Sequence, residues 1–160
     1  MVTLITGGKN AGKSSYLYDW FCKEPVGYGV LSMKRYVLGM HQGYDLLFLP
    51  SEVRINLCSK IPIDYVPQKD DIIQGNYLFD PQAFESACHF MISHLTEKDA
   101  PIWLDEVGNL EMSGKGFTPI IKLLCPTERD LRIGVRFSCI YGFTKLIGDN
   151  HFHVIYTLEK

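Results

Sequence analysis

Apolar residues follow two successive patterns near the N-terminus. Residues 2–6 form a short β-branched run, which predicts a buried strand. A glycine-rich stretch comes next, and from Lys13 apolar residues recur at helical spacing, at Leu17, Trp20 and Phe21. The pattern therefore predicts a strand, a tight loop and a helix that ends before Pro25.

The segment from 27 to 60 has a different pattern. Short runs of β-forming residues, "VGYGVLSM", "RYVLGMH", "YDLLFL" and "VRINLCS", are separated by turn residues. These runs predict antiparallel ribbons attached to a main sheet. Residues 62–74 are rich in Pro and Asp and predict a loop.

The second half of the chain alternates strand and helix patterns. After the short strand "NYLF", Asp80 and Pro81 are typical of a helix start, and an apolar stripe follows on one face. Further strands are expected at 101–104, 131–141 and 152–158, helices at 117–125 and 143–147, and a loop at 107–116. This alternation predicts an α/β fold with a mainly parallel sheet covered on both faces. We expect one domain over 1–160, with 27–60 as a β-ribbon insertion within it.

The composition is ordinary for a globular protein and excludes some functions. The net charge of −2 gives no overall basic field, so nucleic-acid binding is not indicated. No run of 18 apolar residues occurs and the N-terminus lacks a signal-peptide pattern, so we expect a cytoplasmic protein without membrane contact. The five cysteines form no C-x-x-C pair, so neither a zinc site nor a disulfide framework is indicated.

The glycine-rich stretch "GGKNAGKS" fits the phosphate-loop pattern G-x-x-x-x-G-K-[ST] without a mismatch. Such a loop aims backbone N–H groups at phosphate oxygens, and Gly7 and Gly12 permit its tight curl. The following helix adds its positive dipole end. We expect Lys13 to reach the β- and γ-phosphates and the Ser14 hydroxyl to bind Mg²⁺. Lys9 is interpreted either as an added charge at the γ-phosphate or as an exposed loop residue.

The stretch "PIWLDEVGNLE" supplies the carboxylates that a bound nucleotide needs. A carboxylate at the end of an apolar strand commonly holds the Mg²⁺ of the nucleotide, and Asp105 has that position. Glu106 follows directly and is the candidate group that orients or deprotonates an attacking water. Lys13 and Glu106 are therefore the predicted catalytic residues, and Ser14 and Asp105 are the predicted metal ligands.

Further charged residues are candidates on weaker signals. Glu111 follows the acidic pair closely and is interpreted as a support for it, a substrate contact or a structural residue. Arg129, Arg132 and Arg136 lie in "ERDLRIGVR", where an arginine would stabilise the γ-phosphate in the transition state. Arg136 is the preferred candidate because it lies at or near a strand. A surface charge or a salt bridge is the structural alternative for each arginine.

Taken together, these motifs resemble those of the small P-loop nucleoside-triphosphatases first described from hyperthermophiles, also called the cancer-related nucleoside-triphosphatase family. The resemblance rests on "GGKNAGKSS", on "GYGVLSM", on "NYLFD" before the amphipathic helix and most of all on "DEVGNLE". It implies a RecA-like α/β fold and slow Mg²⁺-dependent hydrolysis of several nucleoside triphosphates to diphosphate and phosphate. The phosphate-binding residues that it implies are Gly7, Gly8, Lys9, Asn10, Ala11, Gly12, Lys13, Ser14 and Ser15.

The sequence leaves three functions open. Hydrolysis of nucleoside triphosphates such as ATP and GTP is favoured, because Glu106 stands beside Asp105. A nucleotide, nucleoside or small-molecule kinase shares the loop but needs an acceptor pocket and usually an arginine-bearing lid. A nucleotide-gated binding module would use the triphosphate to order the ribbon or the 107–116 loop for a macromolecular partner. Neither the base preference nor a particular protein partner is indicated.

Overall fold

The computed structural model describes residues 1–97, 99–127, 129–148 and 152–158. Its strands are β1 (Val2–Gly7), β2 (Tyr28–Val37), β3 (Met40–Leu49), β4 (Arg54–Lys60), β5 (Ile72–Gln74), β6 (Tyr77–Phe79), β7 (Ile102–Val107), β8 (Leu131–Arg136) and β9 (Phe152–Leu158). Its helices are α1 (Lys13–Lys23), α2 (Pro81–Ser93), α3 (Asn109–Met112), α4 (Thr118–Leu124) and α5 (Ile140–Ile147). The strands form one sheet in the order β5-β6-β4-β3-β2-β7-β8-β1-β9.

The sheet is half parallel and half antiparallel. In the parallel half, β8 lies between β1 and β7, β9 flanks β1, and β2 flanks β7. From β2 outward, through β3, β4, β6 and β5, each described pairing is antiparallel. The expectation of a mainly parallel sheet with attached antiparallel ribbons is therefore confirmed only in part, because the ribbon strands continue the main sheet and contribute as many pairings as the parallel strands.

Strand β2 joins the two halves. Its first residues, Tyr28 to Val30, pair with β7, whereas the strand pairs with β3 along nearly its whole length. The runs "VGYGVLSM" and "RYVLGMH" therefore do not form separate strands. The chain passes through both runs as one strand and turns only at Leu38 and Gly39, which take φ of 50° and 76°. The segment 27–60 is thus part of the sheet from its first strand onward.

Helices cover both faces of the parallel half. On one face α1 packs Leu17 and Phe21 against Ile5 and Trp103. On the other face the buried helical residues are Ala87 and Met91 of α2, Ile120 and Leu124 of α4, and Phe143 of α5. Successive strand residues point to opposite faces, so the strands between two helical layers become continuous apolar runs. None of the described helices is long and apolar enough to cross a membrane.

Local differences from the sequence prediction come mainly from contacts between distant residues. β5 lies at the end of the segment predicted as a loop, because it pairs with β6. α3 lies within the predicted 107–116 loop. The strand predicted over 131–141 ends at Arg136, and a 3₁₀ turn leads into α5, which begins three residues earlier than predicted. These shifts leave the order of the predicted elements unchanged.

Candidate functional site

The phosphate loop connects β1 to α1 in a tight turn. Asn10 and Gly12 take left-handed backbone conformations, with φ of 62° and 96°. Gly12 is the N-cap of α1 and has no side chain that accepts a hydrogen bond from the first N–H groups. These donors are therefore available to an anion at the positive end of the helix. Lys13 Nζ donates to the carbonyl oxygens of Gly7 and Gly8, 3.4 and 3.0 Å away, and so lies over the loop.

A cleft of about 650 Å³ opens at the carboxyl ends of the parallel strands. This is the edge at which open α/β sheets bind ligands, and the volume is within the range of small-molecule sites, about 300–1,000 Å³. The phosphate-loop residues that line the cleft are Lys9, Asn10, Gly12, Lys13, Ser14 and Ser15. The other predicted loop residues, Gly7, Gly8 and Ala11, belong to the loop backbone and do not line the cleft.

The acidic pair lies in a β-bulge at the end of β7. The pairing with β8 shifts between Leu104 and Val107, so Asp105 and Glu106 together oppose Gly134 alone. Glu106 takes φ of 65°, a left-handed conformation that is uncommon outside glycine and clusters at functional sites. In a regular strand two successive side chains point to opposite faces. Here both carboxyl groups lie close enough to the phosphate-loop lysine for its charge to lower their pKa values.

Asp105 has the surroundings of a cation ligand. Its side chain is 1% exposed, and neither carboxylate oxygen has a hydrogen-bond partner among the described residues. Burial raises the pKa of this carboxyl group, and the Ser14 hydroxyl and the Lys13 ammonium lower it. An unpartnered buried carboxylate is costly, whereas Mg²⁺ commonly binds one or two carboxylates together with phosphates and water. The surroundings of Asp105, with Ser14 beside it, therefore fit a divalent cation such as Mg²⁺.

Glu106 lines the cleft beside the phosphate loop. Burial, and after it the negative charge of Asp105, raises the pKa of its carboxyl group to about 7. Lys13 and Arg136 act against this shift, because their positive charges favour the ionised form. A carboxyl group with a pKa near neutrality is suited to take up a proton during a reaction. Its place in the cleft makes Glu106 the candidate general base.

Of the three arginines, only Arg136 lines the cleft. It ends β8, where it is the register partner of Gly7 in the phosphate-loop strand. Its guanidinium makes no hydrogen bond or ion pair within the described part of the chain, and its charge lowers the pKa of both Glu106 and Glu111. Arg136 is thus a free cation on a rigid strand end beside the acidic pair.

The other two arginines have structural contacts. Arg129 donates to the carbonyl oxygens of Leu95 and Glu97, after the end of α2, and to the Tyr28 hydroxyl. Arg132 stacks over two indole rings, with its guanidinium carbon 4.2 Å from the centroid of Trp20 and 4.5 Å from that of Trp103. It also forms ion pairs with acidic neighbours outside the cleft. Both side chains therefore stabilise packing rather than a bound phosphate.

Glu111 supports the loop that follows the acidic pair and does not line the cleft. Its side chain is buried, and its two carboxylate oxygens accept hydrogen bonds from the backbone N–H groups of Gly108 and Phe117, at 2.8 and 3.0 Å. A Cβ at Gly116 would collide with the same carboxylate. The interpretation of Glu111 as a substrate contact is therefore not supported, and its role is to fix the path of residues 108–117.

We expect Glu111→Gln to lower the free energy of unfolding by about 2–3 kcal/mol. An amide has a single carbonyl oxygen, so it would accept one of the two backbone N–H groups and point its own donors at the other. Urea denaturation checks the prediction. Glu85→Gln, on the exposed face of α2, is the matched control and should stay within about 0.5 kcal/mol of the native protein. Equal stability of the two variants would contradict the structural role of Glu111.

Gly134 leaves room for the Asp105 carboxylate. A Cβ at this position would collide with Asp105 Oδ1 and lie 3.1 Å from Leu17 Cδ1. We therefore expect Gly134→Ala to destabilise the protein by about 1–3 kcal/mol, since a packed interior cannot absorb the extra methyl group without displacement. Thermal and urea denaturation measure the loss. Gly8→Ala is the control for stability, because a Cβ at Gly8 meets no atom within 4 Å; an equal loss in both variants would rule out the collision as its cause.

The structure adds cleft residues that the sequence patterns did not single out. Ser32 on β2 is 2% exposed, lines the cleft, and has a hydroxyl without a hydrogen-bond partner in the described chain. Asn109 lines the cleft just after the acidic pair and accepts a hydrogen bond from the Cys139 thiol. A single serine in a strand or a single asparagine after a loop carries no motif, so only the fold identifies them.

Two solved structures resemble this one over nearly the whole chain. One is the crystal structure of THEP1 from the hyperthermophile Aquifex aeolicus, with a TM-score of 0.74, 18% sequence identity, and coverage of 99% of this chain and 90% of that one. The other is the solution structure of a human cancer-related nucleoside triphosphatase, with a TM-score of 0.71, 20% identity, and coverage of 99% and 88%. No protein-family model and no curated protein matches the chain. The resemblance predicted from the sequence is thus confirmed in the structure: the chain has the mixed α/β fold of these two proteins.

Proposed function

We propose that the protein hydrolyses nucleoside triphosphates, ATP and GTP among them, to nucleoside diphosphate and phosphate in a Mg²⁺-dependent reaction. The observation that carries the proposal is the bulge in β7, which brings Asp105 and Glu106 together at the phosphate-loop lysine. A loop that holds phosphates is shared by several enzyme classes. A carboxylate fit for magnesium next to a carboxylate fit for proton transfer favours cleavage.

Each residue of the site has a distinct task in this reaction. The phosphate loop, from Gly7 to Ser15, holds the phosphate oxygens. The Lys13 ammonium holds its positive charge beside the β- and γ-phosphates. Ser14 and Asp105 hold Mg²⁺, which neutralises charge on the phosphates when it is bound. Glu106 orients the attacking water and accepts its proton.

Arg136 is the candidate that stabilises the transition state. Its guanidinium lies at the cleft near Glu106, where negative charge on the γ-phosphate would develop. An arginine that acts in this way within the same chain neutralises the spreading charge on the phosphoryl oxygens. No second protein is then needed to complete the site.

The comparisons support the same proposal at the level of the fold. One neighbour is named a nucleoside triphosphatase, and the coverage of both chains is nearly complete. We propose that this protein belongs with these small P-loop enzymes and that its parallel half is RecA-like. The position of β8 between the phosphate-loop strand β1 and the acidic strand β7 supports that arrangement.

Phosphate release from ATP, GTP, CTP and UTP tests the proposed function. The purified chain is assayed with Mg²⁺ and with excess EDTA, against a protein-free blank. We expect release from one or more of the triphosphates with Mg²⁺ and its loss with EDTA, since in this proposal Ser14 and Asp105 hold the ion. Release no greater than the blank for all four triphosphates would show that hydrolysis is wrong.

A further inference from the structure

The same cleft extends from the acidic pair to the ribbon strands. We call this end of the cleft the distal lobe; its walls include Met33, Lys34, Tyr44, Cys58, Asn76 and Tyr77. These residues lie on or beside β2, β3, β4 and β6, whereas the phosphate loop follows β1 at the other side of β7 and β8. Glu106 therefore stands between the phosphate loop and the distal lobe. A triphosphate whose terminal phosphate points to Glu106 leaves this lobe open to another molecule.

The side chains that line the distal lobe suit a ligand with a planar ring and polar edges. The rings of Tyr44 and Tyr77 lie 5.5 Å apart in an edge-to-face arrangement, and Leu57 and Phe79 add apolar surface. Gln74 at the end of β5 and Asn76 in the turn that follows contribute amide side chains. Aromatic walls with a few convergent amides are the usual recognition surface for a nucleobase.

Two lysines add positive charge to the same cleft. Lys9 of the phosphate loop and Lys34 of β2 both line it, and neither makes a hydrogen bond or an ion pair with any residue that the structure describes. This placement suits an anionic group on the ligand and gives Lys9 a task apart from the loop itself.

We propose that the distal lobe binds a nucleoside, with or without a 5′-phosphate, and that the protein transfers the γ-phosphoryl group to it. The proposal depends on the proposed function only for the binding of the triphosphate at the phosphate loop. Hydrolysis is then the outcome when water, not a hydroxyl of the second ligand, occupies the place beside Glu106.

The transfer is a single displacement at phosphorus. A hydroxyl oxygen of the nucleoside, or a phosphate oxygen of its 5′-monophosphate, forms a bond to the γ-phosphorus while the bond from that phosphorus to the β–γ bridging oxygen breaks. The electron pair of the broken bond leaves with the nucleoside diphosphate, and when the acceptor is a hydroxyl its proton passes to the Glu106 carboxylate. The products are a nucleoside diphosphate and either a nucleoside monophosphate or, from a 5′-monophosphate, a second nucleoside diphosphate; no oxidant or reductant takes part.

The experiment supplies the full chain with Mg²⁺ and ATP labelled at the γ-phosphate. The acceptors are adenosine, guanosine, cytidine, uridine and thymidine, each alone and as its 5′-monophosphate, with an acceptor-free reaction beside them. Mass spectrometry and label counting give the ratio of phosphorylated acceptor to free phosphate. We expect at least one acceptor to take the label and free phosphate to fall correspondingly in that reaction.

Tyr77→Ala tests whether the distal lobe carries the acceptor. Loss of an aromatic ring that contacts a base should lower the ratio of transfer to hydrolysis roughly tenfold or more. The ratio compares two products of the same protein molecules, so a partial loss of folded protein does not change it. Tyr141→Ala, at an exposed position of α5 outside the cleft, is the matched control and should keep the native ratio.

The outcomes separate this proposal from the hydrolysis. Free phosphate without label in any acceptor would overturn the transfer and leave the hydrolysis intact. A Tyr77→Ala variant that changes the relative KM of ATP and GTP, with no acceptor labelled, would place the base of the triphosphate itself in the lobe and also overturn it. Labelled acceptor without phosphate release in the acceptor-free reaction would support the transfer and contradict the hydrolysis.

Discussion

Glu106→Gln is expected to lower kcat for triphosphate hydrolysis by roughly 10²–10⁴-fold, the usual contribution of a general base. Glutamine keeps the size of the side chain and cannot take a proton from the attacking water. The phosphate loop and Asp105 are untouched, so KM should change little. Steady-state phosphate release, together with binding of a labelled triphosphate, measures the two quantities separately.

The control for this variant is Glu85→Gln, which removes an exposed carboxylate on α2 outside the cleft and should keep native kinetics. A Glu106→Gln variant with kcat close to the native value would remove Glu106 as the base. If kcat fell because triphosphate no longer bound, the role of Glu106 would lie in forming the site and not in the proton transfer.

Lys13→Ala is expected to lower kcat/KM by roughly 10²–10³-fold, because a preorganised charge at the reacting phosphate is lost. The ammonium lies over the loop through its bonds to Gly7 and Gly8, and in the described structure it pairs with no acidic side chain. The loop should therefore keep its fold while triphosphate binding also weakens. Kinetics and nucleotide titration measure the two effects.

Lys122→Ala is the matched control, since Lys122 is exposed on α4 and outside the cleft. Both variants remove one lysine, so a general effect of net charge would appear in both. Native activity in Lys13→Ala would mean that the phosphates bind elsewhere. A lower melting temperature in that variant alone would point to loop stability as the cause of any loss.

The phosphate loop and the acidic pair could be predicted from the sequence because both depend on the local order of residues. A strand, a glycine turn and a helix start follow one another within a few positions, and Asp105 ends an apolar run. The bulge could not be predicted in this way. The bulge depends on the pairing of β7 with β8, and no sequence pattern distinguishes Gly134 from other glycines in strands.

The roles of the three arginines could not be predicted from the local sequence either. Arg129, Arg132 and Arg136 lie within one short segment, and only the predicted strand at or near Arg136 favoured it over the other two. Their surroundings come from distant parts of the chain: the end of α2 for Arg129, two tryptophans for Arg132, and the cleft for Arg136. The share of antiparallel strands in the main sheet was underestimated for a related reason, because local patterns do not show that β2 pairs with β7 as well as with β3.

The continuous hydrogen bonding of the sheet limits how the cleft can open. β2 is bonded to β7 on one side and to β3 on the other, so the ribbon strands and the parallel half belong to one sheet. Swinging the distal lobe open as a hinged lid would break a β-ladder and is therefore costly. We expect association of a triphosphate to proceed in one phase, with a rate that rises as salt is lowered because Lys9, Lys13, Lys34 and Arg136 line the cleft.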